Sequence, residues 1–374
     1  MKLDGTLHVG APNIGSREKF FERVNGMFDR RWLTNRGELV QELEQKLADY
    51  LGVKHCISMC NGTVALEIAI RALGLEGEVI VPSLTFIASA HALLWQEITP
   101  VFCDIDRESY NIDPKQIEKH ITPKTSAIMG VHLYSRPCDI EALQAMADRH
   151  GIKLLFDAAH AFGCSHNGKM IGNFGDCEVL SFHATKFFNT FEGGAIATNN
   201  DGLAEKIRLM QNFGFNGMDN VEYIGTNGKM TEICAAMGLT NLEGLDEFVG
   251  INQRNYEVYR DGLSKIPGLS LIEFNEAEKC NWQYIVVEVG NDHPLSRDEL
   301  MEKLHAQNIR ARRYFWPGCH RMEPYRSLQP NAGMMLPITE AVAERLLVLP
   351  TGTGVDKITI DLICRSIRKK PCES

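Results

Sequence analysis

The feature that most constrains the fold is an alternation of short apolar runs with amphipathic stretches between about residue 50 and residue 200. The apolar runs predict strands, and the amphipathic stretches predict helices. The predicted strands include 77–82, 100–104, 127–133 and 153–157, and the predicted helices include 85–96 and 139–150. Crossovers of this length join parallel strands, so the sequence predicts an α/β fold whose mostly parallel sheet has helices on both faces. Ligands of such folds bind beyond the carboxyl ends of the strands.

The pattern changes beyond about residue 240. A long helix is predicted from residue 231 to the region of residue 252. Beyond it the predicted strands are 270–274 and 282–289, and the predicted helices are 296–307 and 356–368. A chain of 374 residues is long enough for one large and one smaller domain. We therefore predict a large domain over residues 1–245 and a smaller α+β domain over residues 246–374.

The charge balance argues against nucleic acid as a partner. The 39 Lys and Arg residues and the 48 Asp and Glu residues give a formal net charge of −9, which repels a phosphate backbone. One short basic cluster, Arg365, Arg368, Lys369 and Lys370, is better explained as the exposed face of a terminal helix.

The sequence also predicts a cytoplasmic protein. Its 11 cysteines are scattered, odd in number and never spaced as CxxC, which is typical neither of a disulfide framework nor of a structural zinc site. Residues 1–6 lack the charged and then apolar pattern of a signal peptide, and no apolar run approaches the ~18 residues that span a bilayer. We expect no export, no membrane contact and no bound metal.

Two charged residues follow neighbouring predicted strands. Asp157 ends the strand 153–157, and Lys186 lies shortly after the next strand. A carboxylate and an amine at adjacent strand ends can hold the two poles of a pyridoxal phosphate ring, because the carboxylate keeps the ring nitrogen protonated and the amine forms a Schiff base. Taken singly, Asp157 also fits a turn or helix cap and Lys186 a solvated lysine. The prediction therefore depends on the pair.

A third element fits the phosphate of the same cofactor. Gly62 and Thr63 open an apolar-faced helix directly after the strand-like run 55–59, so that their amides and the Thr63 hydroxyl can bind a phosphate. Ser181 can add a second hydroxyl, and Phe86, which starts a helix after another strand, can stack on a planar ring. The alternatives are an ordinary capped turn for Gly62 and Thr63 and core packing for Phe86.

Several motifs occur together, and in order, along nearly the whole chain. They are NGTVAL (61–66), PSLTF (82–86), FDAAHAFG (156–163), SFHATK (181–186) with EGGAIATN (192–199), and GTNGKMTEICAAMGL (225–239). In this combination the chain resembles the DegT/DnrJ family of pyridoxal-phosphate-dependent nucleotide-sugar aminotransferases, a branch of fold type I. The resemblance implies the fold type I architecture, with pyridoxal 5'-phosphate as the cofactor.

The resemblance also implies roles for individual residues. The implied contacts are Gly62, Thr63 and Ser181 to the phosphate, Phe86 to the ring face, Asp157 to the ring nitrogen, His160 near the phenolic oxygen and Lys186 in the Schiff base. Many family members have Gln at the position of His160. Relatives that catalyse dehydration have His in place of the Schiff-base lysine, so Lys186 predicts transamination.

A second chain completes the phosphate site in this family. The asparagine that crosses the interface maps onto Asn227, next to Lys229, which stands where Arg is usual and lacks its bidentate fork. The resemblance therefore implies a homodimer with active sites completed across the interface.

Substrate contacts are predicted first from residues 31–37. This segment, with Trp32 and Thr34, resembles family members that aminate carbon 4 of a nucleotide-linked 4-keto-6-deoxyhexose, although Trp32 also fits a packing anchor. His183 either tunes Lys186 or shapes the wall of the substrate pocket.

A second set of substrate contacts comes from an aromatic loop. The resemblance implies that Arg313, Tyr314 and His320 approach the active site. With Arg310 and Arg312, this loop suits a diphosphate or the carboxylate of glutamate. The alternative is a solvated basic strand edge.

We therefore predict a homodimeric aminotransferase that moves an amino group from L-glutamate to carbon 4 of a nucleotide-linked keto sugar, with dTDP-4-keto-6-deoxyglucose as the favoured acceptor. The alternatives are amination at carbon 3 and a UDP-linked sugar. Two rival classes are a catalytically silent regulator and an NAD-dependent dehydrogenase, although no strand runs into the GxGxxG that a dinucleotide requires.

Overall fold

The computed structural model describes residues 5–368, and its central feature is a seven-stranded sheet. In chain order, the strands within residues 5–368 are β1 (Leu7–His8), β2 (His55–Met59), β3 (Glu78–Pro82), β4 (Thr99–Cys103), β5 (Thr125–Val131), β6 (Lys153–Asp157), β7 (Ser165–His166), β8 (Lys169–Met170), β9 (Cys177–Ser181), β10 (Gly194–Thr198), β11 (Leu269–Leu271), β12 (Ile285–Val289), β13 (Ile309–Arg310) and β14 (Leu346–Leu349).

Helices separate most of these strands. In chain order they are α1 (Arg17–Arg30), α2 (Glu38–Leu51), α3 (Gly62–Ala72), α4 (Ile87–Leu94), α5 (Pro114–Ile117), α6 (Ile140–His150), α7 (Asp201–Gln211), α8 (Glu232–Glu243), α9 (Leu245–Leu263), α10 (Arg297–His305), α11 (Tyr325–Leu328), α12 (Pro337–Ala343) and α13 (Lys357–Arg368).

The large sheet has the strand order β2-β10-β9-β6-β5-β3-β4. Its strands are parallel except β10, which pairs antiparallel with β2 and β9. The α/β fold with a mostly parallel sheet is therefore confirmed. Because β5, β6 and β9 run in the same direction, Val131, Asp157 and Ser181 come to the same edge of the sheet.

Both faces of this sheet are buried, which explains why its strands are apolar throughout. Along β3, Ile80 packs into the core under α2, α6 and α8, whereas Val79 and Val81 pack into the core under α3, α4 and α7. Side chains of a strand alternate between its two faces, so both faces need apolar residues here.

The C-terminal part is a smaller unit. Strands β11, β12 and β14 form an antiparallel sheet that shares an apolar core with α9, α10 and α13. The prediction of one helix from residue 231 to the region of residue 252 is wrong, because α8 ends at Glu243, Gly244 is not helical and α9 starts at Leu245. Helix α8 packs on α2 of the large domain, whereas α9 packs on α13.

The N-terminal segment crosses between the two units. Strand β1 pairs in parallel with β13, with Leu7 opposite Ile309, so these first residues join the small unit instead of the large one. The division at residue 245 stays a prediction.

Across residues 5–368, no helix is both long enough and apolar enough to cross a bilayer. Arg365 and Arg368 lie on α13, and Arg368 donates to the carbonyl of Gly262 at 3.1 Å. The other two residues of the basic cluster, Lys369 and Lys370, lie outside the described residues, as do residues 1–4.

Candidate active site

A cavity of about 320 Å³ lies beyond the carboxyl ends of β5, β6 and β9. This volume is within the range of small-molecule sites. The large domain supplies one wall, and the opposite wall consists of Asn252, Gln283, Tyr284, Arg312, Tyr314 and Phe315. The cavity therefore lies at the sheet edge where the sequence predicts a ligand.

Nine of the predicted site residues line this cavity: Gly62, Thr63, Phe86, Asp157, His160, Ser181, His183, Lys186 and Tyr314. The other five, which do not, are Trp32, Thr34, Asn227, Arg313 and His320.

The start of α3 forms a concave group of hydrogen-bond donors. Asn61 caps the helix, and its side chain accepts from the amide of Val64 at 2.8 Å. Gly62 and Thr63 come before Val64 in the first turn, and their amides have no partner within the helix. A Cβ at position 62 would lie 3.1 Å from Ser181 Cβ, so glycine is what brings the helix start so close to Ser181. Two amides and two hydroxyls in this arrangement fit a phosphate.

Asp157 is buried at the end of β6 with both carboxylate oxygens held. Its Oδ1 accepts from the amide of Ala159 at 3.1 Å, and its Oδ2 accepts from the hydroxyl of Ser89 at 2.7 Å. The first contact forms a local turn, which is the alternative role that the sequence allows for Asp157. The second contact comes from α4. Since Asp157 also lines the cavity, its remaining lone pairs suit a cationic ring N–H.

Lys186 is not a solvated surface lysine. Burial lowers the pKa of its amine to about 8, although the nearby carboxylate of Asp157 acts in the opposite direction. Its Nζ lies 3.5 Å from the hydroxyl of Tyr284, at the limit of a hydrogen bond. Burial raises the pKa of Tyr284 well above its ordinary value, so its phenol stays protonated. The amine is therefore accessible to chemistry in its neutral form near physiological pH.

His160 is a neutral imidazole in this cavity. Its buried position, and then the charge of Lys186, lowers the pKa of His160 well below the ordinary value. Its Nδ1 accepts from the amide of Tyr134 at 3.2 Å, so the proton of the neutral ring is on Nε2. The ring lies 4.4 Å from that of Tyr284 and 5.6 Å from that of Phe315, between centroids.

Phe86 is not a core residue. It is 57% exposed and precedes α4, with its ring 6.0 Å from that of Phe315. An aromatic ring with a free face at the cavity wall suits stacking on a planar ligand.

The structure brings Arg312, not Arg313, into the cavity. The guanidinium of Arg312 lies 5.0 Å from the ring of Tyr314 and, among the described residues, has no carboxylate partner within 4 Å. Arg313 turns away, where it pairs with Asp298 at 3.2 Å and covers Trp316 at 4.1 Å. Successive side chains of an extended segment point to opposite sides, so only one of the two arginines can face the ligand.

His320 is buried behind the cavity wall. Its Nδ1 lies 2.7 Å from the hydroxyl of Ser83, and its Nε2 lies 2.8 Å from Glu340. The side chain therefore braces the end of β3 against the small unit and does not reach the cavity.

The other predicted residues outside the cavity are exposed. Trp32 is 54% exposed and Thr34 is exposed beside it. The amide of Glu232 donates to the carbonyl of Leu33 at 3.0 Å and holds their segment at the start of α8. Asn227 is also exposed. None of the three residues Trp32, Thr34 and Asn227 lines the cavity of its own chain.

His183 lies at the exposed mouth of the cavity. Its Nδ1 is 2.8 Å from the Thr185 hydroxyl and its Nε2 is 3.5 Å from Glu192. These contacts fit the interpretation of His183 as part of the pocket wall.

Sequence reasoning missed Thr85, Ser89 and Tyr284. Tyr284 comes from the small unit, inside a predicted strand, and no local pattern connects it to Lys186. Thr85 lies two residues before α4 and Ser89 lies in its first turn, a four-residue spacing that the predicted helix 85–96 would place on one face. That spacing was the available signal.

Known proteins resemble this chain over almost its full length. Residues 15–368 match the DegT/DnrJ/EryC1/StrS aminotransferase family. The dTDP-4-amino-4,6-dideoxy-D-glucose transaminase of Shigella dysenteriae is 40% identical over 369 residues, which cover 98% of this chain and 100% of that protein. The GDP-perosamine synthase of Caulobacter vibrioides is 37% identical and covers 96% and 97%. A crystal structure of DesI in the presence of its TDP-sugar product matches with a TM-score of 0.94 and 45% identity, over 98% of this chain and 93% of that one.

Proposed function

This chain belongs to the DegT/DnrJ/EryC1/StrS aminotransferase family and is a pyridoxal-phosphate-dependent sugar aminotransferase, and on this premise we propose that it moves the amino group of L-glutamate to carbon 4 of dTDP-4-keto-6-deoxyglucose. The similarity to the Shigella dysenteriae transaminase and to DesI supports this acceptor. An aminotransferase is neither an NAD-dependent dehydrogenase nor a silent regulator, so both rival classes are set aside. The cytoplasmic location stays a prediction.

The observation that carries the proposal is that Lys186 and Asp157 share one cavity with the start of α3. We assign the phosphate to Gly62, Thr63 and Ser181, the ring face to Phe86, the ring nitrogen to Asp157, the neighbourhood of the phenolic oxygen to His160 and the covalent link to Lys186. The donors and acceptors present match the two charged ends of pyridoxal phosphate.

When bound, pyridoxal phosphate carries the amino group between the two substrates and withdraws electrons from the carbon that loses a proton. Lys186 takes that proton and returns it, which requires a neutral amine near working pH. Burial lowers the pKa of Lys186 to about 8, so the neutral amine is far more populated than in a solvated lysine. The protonated phenol of Tyr284 beside Nζ helps to hold the amine in place.

We further propose that the active unit is a homodimer in which Asn227 reaches the phosphate of the partner's site. Asn227 is exposed within one chain, beside a loop that follows α7. This loop exposes five large apolar side chains, Phe213, Phe215, Met218, Val221 and Ile224. Several exposed apolar side chains in one loop are typical of an interface. In a dimer, the exposed segment with Trp32 and Thr34 is also free to approach a second active site.

We propose Arg312 as the residue that binds the diphosphate of the sugar nucleotide. Its guanidinium lines the cavity without a carboxylate partner and is held against Tyr314. An unpaired guanidinium suits bidentate contacts to a phosphate oxygen pair. Of the other predicted substrate residues, Tyr314 holds Arg312 and His183 shapes the mouth of the cavity.

Absorption spectra test the function. The purified protein is mixed with pyridoxal phosphate, then glutamate, then dTDP-4-keto-6-deoxyglucose. We expect a visible band that bleaches with glutamate and returns with the sugar, and a product with nitrogen on carbon 4 by NMR. A band that returns only with a GDP-linked or UDP-linked sugar, or nitrogen on carbon 3, would overturn the proposed acceptor. Absence of any band would overturn the cofactor contacts.

Arg312 and its neighbour Arg313 give a matched test of the sugar contact. We expect Arg312→Ala to raise the KM for the sugar nucleotide about 10- to 100-fold, since one charged hydrogen bond is worth about 1.5–3 kcal/mol. The rate of bleaching by glutamate should stay near the wild-type value. Arg313→Ala, which removes a guanidinium paired with Asp298, should leave both unchanged. An Arg312 variant that loses glutamate binding instead would assign this residue to the amino-acid carboxylate.

A further inference from the structure

A buried chain of two hydroxyl groups leads from the cavity wall to Asp157. The Ser89 hydroxyl donates to Asp157 Oδ2 at 2.7 Å, and the Thr85 hydroxyl lies 2.9 Å from the Ser89 oxygen. Ser89 is fully buried, and Thr85 is 2% exposed and lines the cavity. The contact between Ser89 and Asp157 is tertiary, because one residue is on α4 and the other ends β6.

The carboxylate fixes the direction of these hydrogen bonds. An ionised carboxylate only accepts, so Ser89 donates its one hydroxyl proton to Asp157. The Ser89 oxygen then serves as an acceptor, and the Thr85 hydroxyl donates to it. Both hydroxyl dipoles therefore point their positive ends towards the carboxylate, which strengthens the bond that ends on Asp157.

We propose that Ser89, supported by Thr85, is a positioning residue that keeps the carboxylate of Asp157 aimed at the ring nitrogen of pyridoxal phosphate. This inference rests on the proposed cofactor contacts. Ala159 holds Oδ1 and Ser89 holds Oδ2, so the carboxylate cannot rotate without losing a bond.

The consequence concerns one proton, which is shared between the ring nitrogen and Asp157. Without the Ser89 hydroxyl, Oδ2 loses the donor that fixes its direction, so the carboxylate can turn away from the ring nitrogen and no longer stabilises the proton there. The ring then loses the positive charge that makes it an electron sink. Ser89 thus acts on the cofactor without touching it.

The small unit braces the start of this hydroxyl chain. The amide of Cys319 donates to the carbonyl of Ser83 at 2.9 Å, and its thiol donates to the carbonyl of Thr85 at 3.5 Å. The amide of His320 donates to the Ser83 hydroxyl at 3.1 Å. The backbone that carries Thr85 is therefore fixed by Cys319 and His320, which come from a distant part of the chain.

Ser89→Ala tests the inference in protein loaded with pyridoxal phosphate that carries ¹⁵N in its ring. We expect the ¹⁵N resonance to move towards the value of a neutral pyridine and turnover to fall about 10- to 100-fold. Thr85→Val, which keeps the shape of the side chain, should cause a smaller change of the same sign, and Thr85→Ser should restore the wild-type signal. These two variants keep the test valid if Ser89→Ala folds poorly.

Ser58→Ala is the matched control. Ser58 is also fully buried and also donates to a carboxylate, Glu44, at 3.1 Å, but it does not line the cavity. In the Ser58→Ala variant, we expect the ¹⁵N resonance of the cofactor ring to equal that in the wild type. An unchanged resonance in Ser89→Ala, or an equal shift in Ser58→Ala, would overturn the role of Ser89 while the wild-type enzyme still works. Wild-type protein that takes up no pyridoxal phosphate would instead overturn the proposed function itself.

Discussion

The cofactor side of the cavity and its sugar side are assembled differently. On the cofactor side, Gly62 begins helix α3, and Asp157 and Ser181 end two strands of the large sheet. On the sugar side, Arg312 comes from a segment that pairs with Val348 of the small unit. Local backbone geometry thus positions the first set, and packing between distant segments positions the second. We expect changes on the cofactor side to have the larger effects on activity.

The largest expected effect is at Lys186. Lys186→Ala removes both the covalent link and the group that moves the proton, so turnover should fall by at least about 1000-fold. The rate of amino transfer from glutamate measures this loss. Lys54→Ala, which removes an exposed lysine paired with Asp201, is the control and should keep full activity. Substantial turnover in Lys186→Ala would contradict the assignment of Lys186 as the covalent link and the group that moves the proton.

The next prediction concerns the pH dependence of the same amine. Burial lowers the pKa of Lys186 from 10.5 to about 8, and only the neutral amine is a nucleophile. In cofactor-free protein, uptake of added pyridoxal phosphate should therefore speed up as the pH rises and level off above a midpoint near 8. The growth of visible absorbance after mixing gives the rate.

Asp157→Asn sharpens this measurement. The carboxylate of Asp157 raises the pKa of Lys186. Removing its charge should therefore move the midpoint below that of the wild type. A wild-type midpoint near 10 would mean that Lys186 is solvated, contrary to its environment in the structure.

The cofactor side was accessible to sequence reasoning for a physical reason. The carboxyl ends of parallel strands meet at one edge of the sheet, where ligands bind. A residue that ends a predicted strand is therefore predicted to lie at the ligand site. The strand 153–157 is observed as β6 with the predicted bounds, and Asp157 lines the cavity as expected. Gly62 and Thr63 follow from the helix that opens directly after β2.

The sugar side could not be placed in the same way. Arg312 and Arg313 are equivalent in the sequence, and only the pairing of their segment with β14 determines which one faces the cavity. His320 is drawn to Ser83 and Glu340, neither of which is near it in the sequence. The break at Gly244 was missed because the residues on both sides of it are helical.

A smaller effect is expected from filling the space beside Gly62. Alanine there places a Cβ 3.1 Å from Ser181 Cβ and 3.3 Å from its Oγ, so the Ser181 hydroxyl must shift. We expect Gly62→Ala to weaken binding of pyridoxal phosphate about tenfold, which corresponds to about 1.4 kcal/mol. Titration of cofactor-free protein measures the Kd.

Gly202→Ala is the control for this change. Gly202 also lies in the first turn of a helix, α7, but the nearest atom to an added Cβ is Asn200 Oδ1 at 3.6 Å. Alanine is a better helix former than glycine, so neither variant should be less stable for intrinsic reasons. Equal affinities in both variants would contradict the close approach of α3 to Ser181.

The smallest effect on activity is expected at His320, where the sequence predicts a substrate contact. The structure buries this side chain between Ser83 and Glu340, outside the cavity. His320→Ala removes the two hydrogen bonds that the buried imidazole makes with Ser83 and Glu340, so it should lower the free energy of unfolding by about 1–3 kcal/mol. Denaturant unfolding of the cofactor-free protein measures this loss.

Because His320 does not reach the ligand, its loss should change the KM for the sugar nucleotide less than about threefold, well below the change expected for Arg312→Ala. Stability and substrate affinity thus separate the two residues: His320→Ala affects the first and Arg312→Ala the second. The reverse result, a tenfold rise in KM for the sugar nucleotide with unchanged stability, would mean that His320 contacts the substrate, as the sequence predicts. The sequence would then have predicted the sugar contacts as well as the cofactor contacts, and the two sides of the cavity would not differ in this respect.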